Sequence, residues 1–131
     1  MRLKLIATIP GIWLALLMSS AVAHHGTAPY YDHEKSVKVT GVVTKFAWRN
    51  PHSTLMIEGK SDTGVGGIFT LEMGAPSALV NNYGIFRKTF KPGDQVEITM
   101  WPSYTSPTFG QLKQGHFWVN GEEFHSLNGK D

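Results

Sequence analysis

From Ser36 onward, apolar and polar positions alternate along most of the chain. In 36–48, SVKVTGVVTKFAW, Val37, Val39, Gly41 and Val43 share one face at period two, and β-branched and aromatic residues dominate. Gly41 inside that run predicts a bulge or a sharp bend, which a small barrel needs when one long first strand serves two sheets. STLMIEGK, 53–60, reads as a second strand with Leu55 and Ile57 on one side and Met56 and Glu58 on the other. GIFTLEM, 67–73, reads as a third. The link between them, SDTGVGG, is rich in turn residues; it has no lysine and no helix start after it, so it is not a phosphate cradle. Pro76 to Gly84 predicts a short helix of about two turns, stopped by Gly84. KPGD, 91–94, is a tight turn, with Pro92 presetting the first corner and Gly93 free to take a positive φ at the second. It feeds the alternating strand QVEITMW, 95–101. The stretch 102–111, PSYTSPTFGQ, reads as a loop, and LKQGHFWVNGEEFHSL closes the chain with an Asn120-Gly121 hairpin turn between two short strands.

Three strands, a short helix, then two or more strands is the order of an oligonucleotide/oligosaccharide-binding (OB) barrel. The expected fold class is therefore all-β with one short helix, a small OB-like β-barrel. An immunoglobulin-like sandwich leaves the helix before the fourth strand unexplained and needs more strands.

The first 18 residues follow a different pattern. Arg2 and Lys4 precede an apolar run from Leu5 to Met18, interrupted by Pro10-Gly11, and Ser19-Ser20-Ala21-Val22-Ala23 offers an A-x-A cleavage signal. That order predicts a secretory signal peptide over 1–23. The run is short for a spanning helix, which needs roughly 20 apolar residues. Cleavage after Ala23 leaves 108 of the 131 residues, one domain's worth. The expected division is a lead-in segment over 24–35, the barrel over 36–127 and a tail over 128–131, in a periplasmic or secreted protein. Removing Arg2 and Lys4 from the 12 basic residues leaves 10 against 10 acidic ones. A neutral domain lacks the basic excess that drives phosphate binding, so no nucleic-acid partner is expected, nor a membrane once the leader is gone. The absence of cysteine excludes a disulfide framework, thiolate zinc sites and a cysteine nucleophile.

His24-His25, Tyr31-Asp32, Gly41-Val42-Val43, Phe46 to His52 with its Asn50-Pro51-His52, Phe69 to Glu72, Phe90 to Val96 and Asn120-Gly121 together resemble the pattern of a family of small exported bacterial proteins of unknown function. The resemblance runs over nearly the whole chain after the leader. Gly26 stands where that pattern has serine, Phe69 where it has tryptophan, Phe90 where it has leucine and Asn120 where it has aspartate. It implies export and leaves activity open.

The chemistry must come from the residues. With cleavage after Ala23, the α-amine and the imidazole of His24 form a chelating pair, and His25 adds a second imidazole. Nitrogen donors in a tetragonal array suit Cu(II), which heads the affinity order of the divalent metals. Cleavage one residue earlier places an imidazole at position three, which also captures Cu(II). The cofactor stays unknown at this point, with a copper ion as the candidate, His24, His25 and His52 as its candidate ligands and His33 as a further one; zinc can use the same imidazoles but gains less from an amine. Trp48, Asn50 and His52 fall on one side of an extended segment unless Pro51 breaks the alternation. Asn50 has the plainer task of capping the turn before Pro51, and His52 that of bonding a backbone carbonyl. Glu72 sits among apolar residues; if it faces inward it needs a partner. Arg49 and His52 are the candidates, and a carboxylate holding a ligand histidine is a common arrangement. His116 and His125 read as surface residues, and Met56, Met73 and Met100 as core filler.

No G-x-S-x-G elbow or catalytic triad is present, and Glu122-Glu123 point opposite ways beside a turn, so no enzyme is expected. Two readings stay open: a metal carrier or store using the terminal histidines, and a metal-free OB-like module that binds a partner protein or small ligand, for which Trp101, Tyr104, Phe109 and Trp118 would line a groove or close the barrel end.

Overall fold

The alternation in 36–48 becomes β1 (Val37–Ala47), whose Val39 and Val43 are buried in the core. The structure is a computed structural model and describes residues 30–113 and 117–127; the expected leader, His24, His25, His116 and the tail lie outside the described residues. β2 (Thr54–Ser61) and β3 (Gly66–Glu72) follow, then α1 (Pro76–Ala78), which continues as a π-helical turn over Leu79–Tyr83. β4 (Gln95–Pro102), β5 (Phe109–Leu112), β6 (Phe117–Val119) and β7 (Glu122–Phe124) complete the described chain.

The strands are ordered β1-β2-β3-β5-β4, and β4 pairs back onto β1, closing a five-stranded barrel. All its pairings are antiparallel except β3 with β5. The fold class and the OB-like barrel expected from the element order are what the chain forms. β6 and β7 extend the sheet as a hairpin from β4, turning at Asn120 (φ 52°) and Gly121 (φ 82°). Both central residues have positive φ, as a two-residue hairpin turn requires.

β1 closes the barrel by serving two neighbours: Val39 to Val42 pair with β2 on one side and β4 on the other. Gly41 stands opposite Gly59, and a β-carbon on Gly41 would lie 2.7 Å from the Gly59 Cα. This glycine therefore permits close approach of two backbones, while the register shift falls further on, between Val43 and Lys45. The interior is filled by Val39, Leu55, Ile57, Phe69, Leu71, Ile98 and Met100, each at most 1 % exposed. Leu79 and Ile85 bring the helical segment into the same cluster. Gly84, in the left-handed region at φ 68°, ends that segment as expected, its N–H bonding back to the Val80 carbonyl at 3.1 Å.

One expectation is corrected. The loop read over 102–111 is shorter, because β4 runs to Pro102 and Phe109–Leu112 form β5. The strand is hard to see because its two core-facing residues are Gly110 and Leu112; a glycine carries no hydrophobic signal. Gly110 is demanded by packing, since a β-carbon there would lie 2.6 Å from Met100 Sδ and from the Trp101 carbonyl oxygen.

Candidate functional site

Phe69 and Leu71 face the core, so by the two-residue period Thr70 and Glu72 lie on the other face of β3. Glu72 is nevertheless only 22 % exposed at its side chain, because two groups close over its carboxylate. His52 Nδ1 lies 2.7 Å from Oε1, and the Tyr31 hydroxyl donates to Oε2 at 2.7 Å. The expected partner His52 makes the contact. Arg49 serves the loop through its backbone, its carbonyl accepting from Ser53 Oγ at 3.5 Å.

Register explains why His52 arrives there. Thr54 stands opposite Glu72 in the β2–β3 ladder. One residue further, the Met73 N–H donates to the Ser53 carbonyl at 2.8 Å and the Ser53 N–H to the Gly74 carbonyl at 3.1 Å. Ser53 itself is wholly buried. The β1–β2 loop is therefore stapled at its end to the end of β3, and His52 emerges from that staple beside Glu72.

Tyr31 comes from the opposite direction. It forms a β-bridge with Ser103, flanked by the Asp32 N–H on the Pro102 carbonyl (2.9 Å) and the Tyr104 N–H on the Tyr30 carbonyl (3.3 Å). Its ring stacks on Phe109 at 6.0 Å and is 3 % exposed. Burial, then the hydrogen bond to Glu72 and repulsion by its carboxylate, push the phenol pKa well above its ordinary value. Two residues on, His33 lies against Trp101, ring centres 4.6 Å apart. Asp32 and Lys35 form an ion pair at 3.0 Å that holds the Asp32 carboxyl below its usual range. The lead-in segment is thus laid along the end of β4 and across β5.

Chemically, the trio is a chain of hydrogen bonds from Tyr31 through Glu72 to His52. A carboxylate accepts only, so His52 donates from Nδ1, and in the neutral imidazole Nε2 carries the lone pair. The His52 side chain is 55 % exposed. One imidazole nitrogen is held and the other is the basic atom, at an accessible position.

The remaining residues singled out in the sequence separate. Trp48 packs against the core cluster, edge-on to Phe46 at 5.6 Å, so it does not share a side with His52. Asn50 is exposed. The alternation Trp48–Asn50–His52 is therefore not kept through this loop. His125 is exposed beside Glu123 at 3.5 Å. Met73 and Met100 are core residues. Of the four aromatics around the β4–β5 loop, Trp101 and Phe109 lie under His33 and Tyr31, whereas Tyr104 and Trp118 are exposed. Among the described residues, no group of three or more His, Asp or Glu is placed to hold a metal ion.

Tyr31 is the site residue that reading the sequence missed. The signal available was local: a tyrosine beside Asp32 in the lead-in, whose hydroxyl needs a partner once buried. Its partner stands 41 residues away, so only the barrel brings them together.

A model of a family of unknown function (DUF6152) matches residues 13–112. No curated protein matches the chain, and no solved structure does.

Proposed function

The chain belongs to this family of unknown function, which assigns it no activity, and from that premise we propose that it is an exported metal-binding protein, for copper, in which His52 joins the N-terminal His24 and His25. The observation that carries this reading is the Glu72–His52 hydrogen bond at 2.7 Å. A carboxylate on the far nitrogen fixes the tautomer and the ring plane, the usual outer support of a metal-bound histidine.

The position of Tyr31 adds to it. Tyr31 stands six positions after His25, so an extended chain spans at most about 20 Å between them. That reach includes His52, because Tyr31 and His52 bind the two oxygens of one carboxylate. An amine and two or three imidazoles form the nitrogen-rich set that Cu(II) prefers. Storage or delivery of the ion is the role proposed for this set.

The test is a Cu(II) competition titration against a chelator. The chain is expressed with residues 1–23 in place in a host with a periplasm, and intact mass reads its N-terminus. One tight equivalent that weakens in His52→Ala and in a His24→Ala, His25→Ala double variant is expected; weak binding indifferent to both changes would defeat the reading.

One observation favours the second reading, a partner-binding module. Tyr30 (65 % exposed) and Tyr104 (63 % exposed) are joined by a backbone hydrogen bond at the β4–β5 loop, the region where OB barrels take ligands. A protein captured by the wild type and lost from a Tyr30→Ser, Tyr104→Ser double variant, with copper binding unchanged, would favour it.

A further inference from the structure

We infer that Tyr31 is the positioning residue of this site, coupling the docking of the lead-in segment to the orientation of His52. The inference rests on the metal-site reading for its purpose, and on the metal-free geometry for its content.

Two separate tasks meet in this one side chain. The backbone on either side of it moors the segment to the end of β4 and the loop after it: the Asp32 N–H donates to the Pro102 carbonyl at 2.9 Å and the Tyr104 N–H to the Tyr30 carbonyl at 3.3 Å, the two bonds of the Tyr31–Ser103 bridge. The Tyr31 hydroxyl ends on Glu72 Oε2, so the carboxylate is gripped at both oxygens, by Tyr31 and by His52. A carboxylate on a strand has free rotation about its last bond, and a single partner leaves its plane to wander. With Tyr31 on one oxygen, the other is aimed at His52 Nδ1. A charge-assisted hydrogen bond of this kind is short and about twice as strong as a neutral one.

The coupling runs both ways. If segment 30–33 lifts off, Glu72 loses one of its two donors and His52 loses its fixed acceptor. If His52 is held by a metal on its other nitrogen, Glu72 is fixed and Tyr31 docks more firmly.

The contacts separate cleanly by substitution. Tyr31→Phe keeps the ring on Phe109 and the backbone bonds and removes only the hydroxyl. Tyr31→Ser removes the ring as well. Phe109→Leu loosens the stack and leaves the hydroxyl in place.

The experiment has a metal-free arm and a copper arm. In the metal-free protein at pH 8, imidazole ¹⁵N NMR reads the His52 tautomer, and hydrogen exchange reads the Asp32 amide. The expected result for Tyr31→Phe is a His52 that shifts from a single Nδ1–H form to a mixture, with exchange at Asp32 faster by about tenfold, while core amides such as Ile57 are unchanged. A His52 tautomer and an Asp32 exchange rate identical to wild type would overturn the inference, whatever copper does. In the copper arm, Tyr31→Phe weakens Cu(II) binding by about tenfold, the low end of what losing an outer partner costs. Wild-type binding that depends on His52 and is untouched by Tyr31→Phe would overturn the inference and leave the proposed function standing. Wild-type binding indifferent to His52, with the metal-free coupling intact, would remove the proposed function and leave Tyr31 as the residue that orients His52 for another ligand.

Discussion

Tyr31 and His52 hold the two oxygens of the Glu72 carboxylate, each at 2.7 Å, although they reach it from the lead-in segment and from the β1–β2 loop. The carboxylate stands on the outer face of β3, so the barrel serves as the scaffold and the site is assembled on its surface by two flanking segments. This is the usual division of labour between a rigid sheet and the loops that carry function.

Replacing Glu72 by Gln keeps the shape and removes the charge. The amide nitrogen cannot accept, so one of the two bonds is lost. Cu(II) affinity is expected to fall roughly 10- to 100-fold, with a change in unfolding free energy of about 1 kcal/mol. Chelator competition and urea unfolding check the two separately; an affinity unchanged within twofold would remove Glu72 from the site.

The Tyr31 phenol gives a pH signature. Its pKa in the folded chain is raised above the ordinary 10.0 by burial and by Glu72. A raised folded-state value means that the unfolded chain releases the proton first, so the contribution to stability is complete below pH 10 and falls away as pH rises beyond it. Stability of the wild type is expected to decline above pH 10, and Tyr31→Phe to decline less. Phenolate absorbance followed through alkaline titration should show one late-ionising group in the wild type that is missing from Tyr31→Phe.

Backbone proximity at the β1–β2 crossing makes Gly41 and Gly59 intolerant of any side chain. A β-carbon on Gly59 would lie 2.7 Å from the Gly41 Cα, with backbone rather than a flexible side chain in the way. Gly59→Ala is expected to cost about 2–3 kcal/mol, the upper part of the range for overpacking a tight site, read as a lower midpoint in urea at an unchanged slope.

Asn120 is expected to matter more than its exposure suggests. Its Oδ1 accepts from the Gln95 N–H at 2.9 Å and its Nδ2 donates to Asp94 Oδ1 at 3.0 Å, tying the β6–β7 turn to the start of β4. It also holds a positive φ of 52°. Asn120→Ala loses both bonds and strains the turn, for roughly 1–2 kcal/mol by thermal or chemical unfolding.

The barrel was legible in the sequence because its signals are local. Val37 to Val43, Leu55 with Ile57, and Gln95 to Trp101 each show their period within one strand, and Gly84, Gly93 and Gly121 mark places where the chain takes a positive φ. β5 was not legible, because Gly110 occupies one of its two core positions and Met100 fills the space instead. The pairing of His52 with Glu72 could be anticipated from chemistry, a carboxylate in need of a partner near a histidine. The placement of Tyr31 over Glu72 could not, since it depends on β3 and β5 lying side by side in parallel and on a lead-in that has no periodic pattern. The loss of the Trp48–Asn50–His52 alternation has the same origin: Trp48 still packs against the barrel core, while His52 takes its position from the Ser53 staple to Met73 and Gly74.

His52 is proposed to ligate copper through Nε2, the nitrogen that Glu72 leaves open. The most direct measurement is pulsed EPR of the one-to-one Cu(II) complex, in which the remote nitrogen of each bound imidazole modulates the echo. The expected result is a modulation from the His52 imidazole, present in the wild type, reduced in depth by one imidazole in His52→Ala and altered in frequency in Glu72→Gln. Identical modulation in all three proteins would contradict it, showing that copper is held without His52 and that the Tyr31–Glu72–His52 chain serves something else.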